Sequence, residues 1–275
     1  MKSDAQPGAD DVALQLVRAT RISTAGGPLA SAGESLRVPR EVALTIDLQG
    51  IDSYTLLCTP GDKVPLAAGF LLSEGIIESM DDVASLRICQ DDPEVVRARL
   101  NRERPAIAGS GRNLLIVSSC GACGDEDLWA KLASLPAVGD SLRLEAEVLR
   151  TVVGAMREHQ RMFQVCGGTH AAGIFDRRGR ILSAAEDAGR HNALDKAIGK
   201  LLLAGQPSAG CAVFLSGRVS LEMVSKCARA GIELIAAVSA STSLAVEIAE
   251  KCGITLCAFV RGTRATVFTH PHRIE

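Results

Sequence analysis

The fold class is decided by residues 211–260, which run CAVFLSGRVS LEMVSKCARA GIELIAAVSA STSLAVEIAE KCGITLCAFV. Short apolar runs, typical of buried strands, alternate here with amphipathic segments of helical period. The pattern predicts strands at 212–215, 233–238 and 255–260, and helices at 221–229 and 244–251. Strands that alternate with helices indicate a sheet covered by helices, so we expect a layered α/β/α domain.

The sequence on either side extends this domain. A helix is predicted at 192–203, and a tight turn at Asp176-Arg177-Arg178-Gly179 joins two short strands. A last strand is predicted at 265–269. Because this strand and the turn both reverse the chain between neighbouring strands, we expect a mixed sheet. Upstream, residues 144–157 are apolar at helical spacing, whereas 163–166 are typical of a short strand.

The first half of the chain has a different pattern. Strands are predicted at 42–48 and 54–58, with a turn between them. A helix through 66–72 follows, and Asp62 is placed to cap it. These elements indicate an α+β arrangement.

The N-terminal residues 1–36 are rich in Ala, Gly, Ser and Pro, which predicts a flexible tail with one short element near 12–20. We therefore expect two folded domains after this tail. A smaller α+β domain at 37–140 carries the Cys-x-x-Cys loop described below, and an α/β domain occupies 141–275.

The composition excludes several classes of protein. The chain has 275 residues, 47% hydrophobic and 23% charged, as is typical of globular proteins. Its net charge of -2 argues against a nucleic-acid partner, which would need a strongly basic face. We expect a cytoplasmic protein with no membrane partner, because the sequence shows neither a secretory signal nor a long apolar span. Nine cysteines at irregular spacing indicate reduced thiols.

The motif Cys120-Gly121-Ala122-Cys123-Gly124 follows an apolar run at 114–117, a pattern that predicts a buried strand leading into a glycine-rich loop. Paired thiols at this spacing occur in zinc sites, in thioredoxin-like redox proteins and in proteins that carry sulfur. The motif alone does not decide between these chemistries.

Each of these chemistries makes a further demand on the sequence. A zinc site needs four ligands, and the chain has no second Cys-x-x-Cys pair. Zinc deaminases need His-x-Glu, but His170 is followed by Ala171-Ala172, so we reject deaminase chemistry. Acidic residues at 125–127 weaken a thioredoxin-like interpretation. An exposed thiol pair that accepts sulfur as a persulfide stays open beside the zinc alternative.

Three other features suit an anionic ligand. Residues 186–196, EDAGRHNALDK, crowd polar groups into a strand-to-helix junction, where Arg190, His191 and backbone N–H groups could form an anion pocket. Residues 259–264, FVRGTR, place two arginines around a glycine; this suits phosphate, although the fragment alone is more typical of a solvated turn. His170 lies among glycines that would let a ligand approach the backbone, or it is a structural histidine.

Several segments, in this order, resemble the formate dehydrogenase accessory sulfurtransferase family. They are Thr59-Pro60-Gly61-Asp62 with Gly69–Ile77, Cys120-Gly-Ala-Cys123-Gly, Gly168-Thr169-His170-Ala171, Glu186–Lys196 and Arg264–Pro271. The resemblance covers roughly residues 38–273, nearly all of the predicted folded chain.

The resemblance implies a function. Proteins of this family accept sulfur from a cysteine desulfurase as a persulfide and pass it to molybdenum bis(molybdopterin guanine dinucleotide), before that cofactor enters formate dehydrogenase. It implies Cys120 as the persulfide carrier and Cys123 as the assisting thiol. It also implies a homodimer, and a C-terminal domain built like cytidine deaminase without a metal site. The alternative is a non-catalytic chaperone, a zinc knuckle or cofactor-binding module.

The resemblance also assigns a cofactor-binding segment, for which GDP is the expected analogue of the cofactor. Its residues are Phe259, Val260, Arg261, Gly262, Thr263 and Arg264. His170, Arg190 and His191 are further candidates for the pocket.

Overall fold

The structure, a computed structural model, describes residues 13–20, 22, 24, 33–101, 114–116 and 132–275, with the backbone alone at 114–116. These residues form three sheets with helices packed on them, which confirms a mixed α/β protein. The predicted thiol loop with Cys120 and Cys123 lies outside the described residues. Within the described ranges, no helix is both long and apolar enough to cross a membrane.

A two-stranded antiparallel sheet begins the described chain. It pairs β1 at Leu14–Thr20 with β2 at Gly33–Pro39. The short element predicted near 12–20 is β1. Its partner β2 begins inside the compositionally biased segment, and no strand is predicted there from the sequence. The division into a tail and two domains stays a prediction.

The second sheet has, within the described residues, five strands in the order β5-β6-β3-β4-β7. The strands are β3 at Val42–Leu48, β4 at Asp52–Cys58, β5 at Val83–Ile88, β6 at Val95–Leu100 and β7 at Leu114–Ile116. β3 and β4 form the predicted antiparallel pair. β7 is an edge strand that lies parallel to β4, with Ile116 opposite Leu56. A 3-10 helix at Met80–Asp82 precedes β5.

Helix α1, at Lys63–Ser73, follows β4 as predicted, but it begins differently. Asp62 stands at the N-cap position without making a side-chain capping hydrogen bond. Its carboxylate pairs instead with the Nζ of Lys200 at 2.7 Å. The sequence therefore predicts the start of the helix correctly, but the Asp62 side chain forms an ion pair with Lys200, far along the chain, instead of capping the helix.

The third sheet has six strands in the order β13-β12-β11-β10-β8-β9. The strands are β8 at His170–Phe175, β9 at Ile181–Asp187, β10 at Ala212–Leu215, β11 at Leu234–Ala237, β12 at Thr255–Arg261 and β13 at Arg264–Thr269. β10, β11 and β12 are parallel, whereas β8, β9 and β13 pair antiparallel with their neighbours. The mixed sheet expected from residues 211–260 and their flanks is confirmed.

Helices cover both faces of this sheet. The chain contains α2 at Ala146–Met156, α3 at Arg161–Cys166, α4 at Arg190–Leu203, α5 at Leu221–Arg229 and α6 at Ser243–Cys252, with 3-10 helices at Arg157–His159 and Pro271–Arg273. Alternate residues of β10 point to opposite faces. Val213 and Leu215 join the core under α4, α5 and α6, while Ala212 and Phe214 join the core under α2.

Residues 163–166 form part of helix α3, so the prediction of a strand there is wrong. The carboxylate of Glu186 in β9 accepts hydrogen bonds from the backbone N–H groups of Met162 and Phe163, both at 2.9 Å. Gly167 ends the helix in a left-handed conformation, with φ at 67°. The sequence of residues 163–166 gives no sign that Glu186, more than twenty residues later, caps this helix. The tertiary contact with Glu186 therefore outweighs the strand-like pattern of the segment.

Candidate functional site

Three parallel strands end side by side at one edge of the six-stranded sheet. Ser216 follows β10, Val238 follows β11, and Arg261 ends β12. Ligands of α/β sheets bind preferentially beyond the carboxyl ends of such strands. A pocket of about 450 Å³, here called the strand-end pocket, opens at this edge. Its lining includes Arg157, Gln160, Phe163, His170, Ser216 and Val238.

His170, a predicted site residue, begins β8 and lines the strand-end pocket. Its Nδ1 lies 3.4 Å from the hydroxyl oxygen of Ser216, which accepts a hydrogen bond from the Ala171 N–H at 2.9 Å. Burial lowers the pKa of His170 below its ordinary value, and the charges of Arg190 and His191 lower it further. The ring is therefore neutral at pH 7, with one hydrogen-bond donor and one acceptor.

The start of α4 places Arg190 and His191 beside His170. The N-cap residue is Gly189, which has no side chain to cap the first N–H groups of the helix. The Nε of Arg190 is buried, and within the described chain it has no hydrogen-bond partner. Gly217 lies against the same residues, since a Cβ there would be 3.4–3.5 Å from His170 and Arg190. A buried donor without a partner suits a ligand that supplies the acceptor.

A second helix begins next to the first. Ser220 stands at the N-cap of α5, yet its hydroxyl makes no capping bond and is buried without a partner among the described residues. In the first turn of α5, a carboxylate oxygen of Glu222 lies 2.7 Å from Nε2 of His191. The hydrogen bond from His191 holds the pKa of Glu222 below its ordinary value, so Glu222 is ionised and orients the imidazole.

This arrangement is chemically suited to an anion. The contact of His191 with Glu222 brings the N-termini of α4 and α5 into one region. The positive ends of two helix dipoles, and the first N–H groups, which have no acceptor within their own helix, meet there. Arg190 adds a guanidinium group and Ser220 adds a hydroxyl, and neither the Nε of Arg190 nor the hydroxyl of Ser220 has a partner among the residues that the structure describes. A phosphate or a similar oxoanion would satisfy these donors.

The remaining charged groups of residues 186–196 are structural. Glu186 caps α3, Asp187 lies 2.7 Å from the Nζ of Lys196, and Asp195 lies 2.9 Å from the Nζ of Lys226. All of these side chains are buried. The polar cluster seen in the sequence therefore separates into an inner set that holds the fold and the pair Arg190 and His191 at the anion-suited region.

The predicted cofactor segment 259–264 comprises the last three residues of β12, the turn at Gly262 and Thr263, and the first residue of β13. Phe259 is 45% exposed and Val260 is buried in the core, so Val260 could offer a ligand only its backbone. The Nε of Arg261 donates to the carbonyl of Val238 at 2.8 Å, which places Arg261 at the rim of the strand-end pocket. Gly262 turns the chain with φ at 55°, and Arg264 pairs with Arg261 across the two strands.

The strand that leads to the thiols ends near the same region. β7 and β4 run parallel, so their carboxyl ends lie at one side of the N-terminal sheet. Thr59, the residue after β4, accepts a hydrogen bond through its hydroxyl from the Ala188 N–H at 2.9 Å, two residues before α4 begins. The described end of β7 at Ile116 is therefore oriented toward the start of α4, and Cys120 follows four residues later.

Some residues of the site are not among those predicted from the sequence. Ser216, Ser220 and Glu222 follow β10 or begin α5, and Arg157, Gln160 and Phe163 come from the segment before β8. The first three carry a usable signal, because loops after parallel strands are preferred ligand sites. The second three carry none, because only the packing of α3 near β8 brings them to the pocket.

The zinc alternative depends on residues beyond the described ones. Among the described residues, no group of three His, Cys, Asp or Glu side chains could hold a metal ion. Of the seven cysteines with a described position, six are buried and Cys166 is half-buried. Cys120 and Cys123 lie outside these ranges, so this finding does not decide between a metal and a sulfur atom on that pair.

Comparison with known proteins identifies the family. The model of the FdhD/NarQ family matches residues 39–275. A sulfur carrier protein FdhD from Bordetella bronchiseptica is 40% identical, over 96% of this chain and 95% of its own, and one from Saccharolobus solfataricus is 41% identical over 81% and 84%. A crystal structure described as a formate dehydrogenase accessory protein, from Desulfotalea psychrophila, covers 95% of this chain and 99% of its own with a TM-score of 0.75 at 25% identity. This chain therefore belongs to the FdhD/NarQ family.

Proposed function

We propose that this protein is a sulfurtransferase that matures formate dehydrogenase. It accepts sulfur from a cysteine desulfurase as a persulfide on Cys120, and it passes the sulfur to molybdenum bis(molybdopterin guanine dinucleotide) before that substrate enters the enzyme. The names of its relatives support sulfur transfer. The observation that carries the proposal is the orientation of β7, which ends four residues before Cys120 and points toward the anion-suited start of α4.

The loading step is a sulfur exchange. The Cys120 thiolate attacks the outer sulfur of the desulfurase persulfide, a new S–S bond forms on Cys120, and the desulfurase cysteine leaves as a thiolate. Electrons balance, because one S–S bond replaces another. Gly121, between the two cysteines, and Gly124, after them, carry no side chain that would hinder such an approach.

Release of the carried sulfur as hydrosulfide takes two electrons, and the second thiol can supply them. The Cys123 thiolate attacks the inner sulfur, which belongs to Cys120, so that a Cys120–Cys123 disulfide forms and hydrosulfide departs toward the molybdenum substrate. A cellular dithiol then reduces the disulfide before the next cycle. This assigns Cys123 the assisting role.

The guanine nucleotide ends of the substrate fit the residues around the strand-end pocket. Their phosphates need donors, and the Nε of Arg190 and the hydroxyl of Ser220 are buried donors without partners in the described chain. His170 lines the strand-end pocket and Arg261 contacts its rim at Val238. His191 contacts the start of α5, and Arg264 lies opposite Arg261. We assign the phosphates to this set and expect GDP to bind as an analogue.

Three further properties belong to the proposal. We propose that the protein acts in the cytoplasm, where desulfurase and apo-enzyme meet, and that it works as a homodimer. We also propose the cytidine deaminase topology for residues 141–275. The last is supported by the order β9-β8-β10-β11-β12, with α4, α5 and α6 connecting the strands in sequence.

The proposal is tested by intact mass after incubation with a cysteine desulfurase and cysteine. The wild-type protein should gain one sulfur atom, and Cys120→Ala should lose the adduct while Cys166→Ala keeps it. Cys166 is the matched control, because it is the half-buried cysteine of the described residues. An adduct of equal yield on Cys120→Ala would reject Cys120 as the carrier. Stoichiometric zinc that disappears on mutation of Cys120 would favour the zinc-knuckle chaperone.

Replacement of Arg261 and Arg264 by alanine should weaken GDP binding while sulfur loading stays normal. Charge-assisted hydrogen bonds to phosphate are strong enough that their loss raises Kd by about tenfold or more. Isothermal titration calorimetry measures this. Arg178→Ala is the control, because Arg178 lines a separate pocket formed by the β8–β9 turn and residues 206–211. Unchanged GDP affinity of the double variant would exclude both arginines from the site.

A further inference from the structure

The carboxylate of Asp187 connects the start of α4 to the residue after β4. One oxygen, Oδ1, accepts hydrogen bonds from the Gly189 N–H at 2.8 Å and from Nδ2 of Asn192 at 3.1 Å. The other, Oδ2, accepts the Thr59 N–H at 3.0 Å and lies 2.7 Å from the Nζ of Lys196. A single fully buried carboxylate therefore holds groups from both halves of the chain.

Thr59 also accepts hydrogen bonds from residues at and near the start of α4. Its hydroxyl accepts the Ala188 N–H at 2.9 Å, and its carbonyl accepts a hydrogen bond from the Nζ of Lys196 at 2.9 Å. The side chain of Asn192 also donates to the carbonyl of Leu57, in β4 itself, at 2.8 Å. Thr59 has no exposed surface. Buried hydrogen bonds with charged partners are strong and geometrically restrictive, so this contact keeps the end of β4 in one position relative to α4.

The position of β4 determines the position of β7. Within the described part of the second sheet, β7 is the edge strand and β4 is its pairing partner, with Tyr54 opposite Leu114 and Leu56 opposite Ile116. Cys120 follows Ile116 by four residues, which span at most about 14 Å of extended chain. The bonds between Thr59 and Asp187 therefore determine, through β4 and β7, where the described strand that precedes Cys120 ends relative to the start of α4.

We propose that Thr59 and Asp187 are positioning residues for sulfur delivery, which hold the strand that leads to Cys120 in register with Arg190 and His191. The inference rests on the proposed function, because it assumes that a sulfur atom travels from Cys120 to a substrate at the start of α4. It assigns no chemistry to Thr59 or Asp187. Their contribution is to fix the distance between the donor strand and the anion-suited region.

The test separates loading from delivery. Thr59→Val keeps the size of the side chain and removes the acceptor for the Ala188 N–H. Loading of Cys120 by desulfurase and cysteine, measured by intact mass, should be unchanged. Formate dehydrogenase activity, in cells where this chain replaces the host sulfur carrier, should fall by about fivefold, because small losses of alignment reduce transfer steeply. Thr59→Ser retains the hydroxyl and should restore activity.

Thr45→Val is the matched control. Thr45 belongs to β3 of the same sheet, and its hydroxyl lies 3.5 Å from that of Thr55, away from α4. Normal enzyme maturation by a folded, sulfur-loaded Thr59→Val protein would overturn the inference. If Thr59→Val does not fold, Asn192→Ala, which removes the bond to Leu57, decides in the same way. A wild-type chain that gains no sulfur would instead overturn the proposed function, and the inference with it.

Discussion

Gly199→Ala is expected to destabilise the protein by about 3 kcal/mol, because alanine overpacks a helix contact that has no spare space. Helices α1 and α4 cross with their backbones in contact. A Cβ on Gly199 would lie 1.8 Å from the carbonyl oxygen of Pro65, and one on Gly69 would lie 1.9 Å from that of Asp195. Both obstructing atoms belong to the backbone, so the helices must separate. Urea unfolding monitored by circular dichroism measures the loss.

Gly154→Ala is the matched control for this prediction. Gly154 lies within α2, and a Cβ there would meet no atom of the described chain within 4 Å. In an open helical position alanine is favoured over glycine, by up to about 1 kcal/mol. The two glycine-to-alanine changes should therefore have opposite signs. A neutral or stabilising effect of Gly199→Ala would contradict the close packing of α1 on α4.

Lys226→Met is expected to cost about 3–5 kcal/mol, the usual result of leaving a buried charge without its partner. The Nζ of Lys226 donates to Asp195 at 2.9 Å, to Ser73 at 2.8 Å and to Glu74 at 3.0 Å. Burial opposes the charge of Lys226, but Asp195 and Glu74 outweigh burial and raise the pKa of the lysine. Methionine fills the space and removes the charge.

The stability that Lys226→Met loses should be larger at high pH than at low pH. Burial raises the pKa of Asp195, and Lys226 and Ser73 oppose that rise. Without Lys226, the folded pKa of Asp195 moves further above its unfolded value. The Lys226→Met variant is then most stable at pH values below the pKa that Asp195 has in the unfolded chain. It loses stability as the pH rises through the higher pKa that Asp195 has in the folded protein. Unfolding at pH 5 and pH 8 should therefore show the larger deficit at pH 8.

Two further variants make the Lys226 result specific. Adding Asp195→Asn to Lys226→Met should recover much of the lost stability, because the unpaired charge is gone. Lys251→Met, on the exposed side of the last turn of α6, should change stability by less than about 0.5 kcal/mol. A pH-independent deficit, or no recovery in the double variant, would show that Asp195 is not the group left unpaired.

Much of the C-terminal α/β layer could be predicted, because its signals are local. Apolar runs such as 212–215 and the helical period of 221–229 each reflect the burial of one element against a common sheet. The helix α3 was predicted as a strand because its cap, Glu186, lies more than twenty residues away. β2 was not predicted, because its residues alone show no clear alternation of apolar and polar side chains.

The residues of the candidate site also divide into those that the sequence predicts and those that only tertiary packing decides. Arg190, His191 and His170 could be selected from residue type and from neighbouring glycines, and the structure brings them together. The same sequence cluster also contains Asp187, Asp195 and Lys196, which look equally suited to a ligand but are buried and paired. Whether a charged residue faces a ligand or the core depends on which distant element packs against it.

The sequence by itself determined the family, the thiol pair and the alternation of strands and helices. Each of these depends on short runs of neighbouring residues, whose pattern can be recognised without knowledge of the rest of the fold. The tertiary structure decided where β7, the described strand that precedes the thiols in the sequence, ends relative to α4. The pairing of β7 with β4 and the meeting of the starts of α4 and α5 join residues tens of positions apart. The bond from Thr59 to Asp187 joins residues 128 positions apart. Such contacts arise only when sheets and helices close around a shared core, and no local pattern records them.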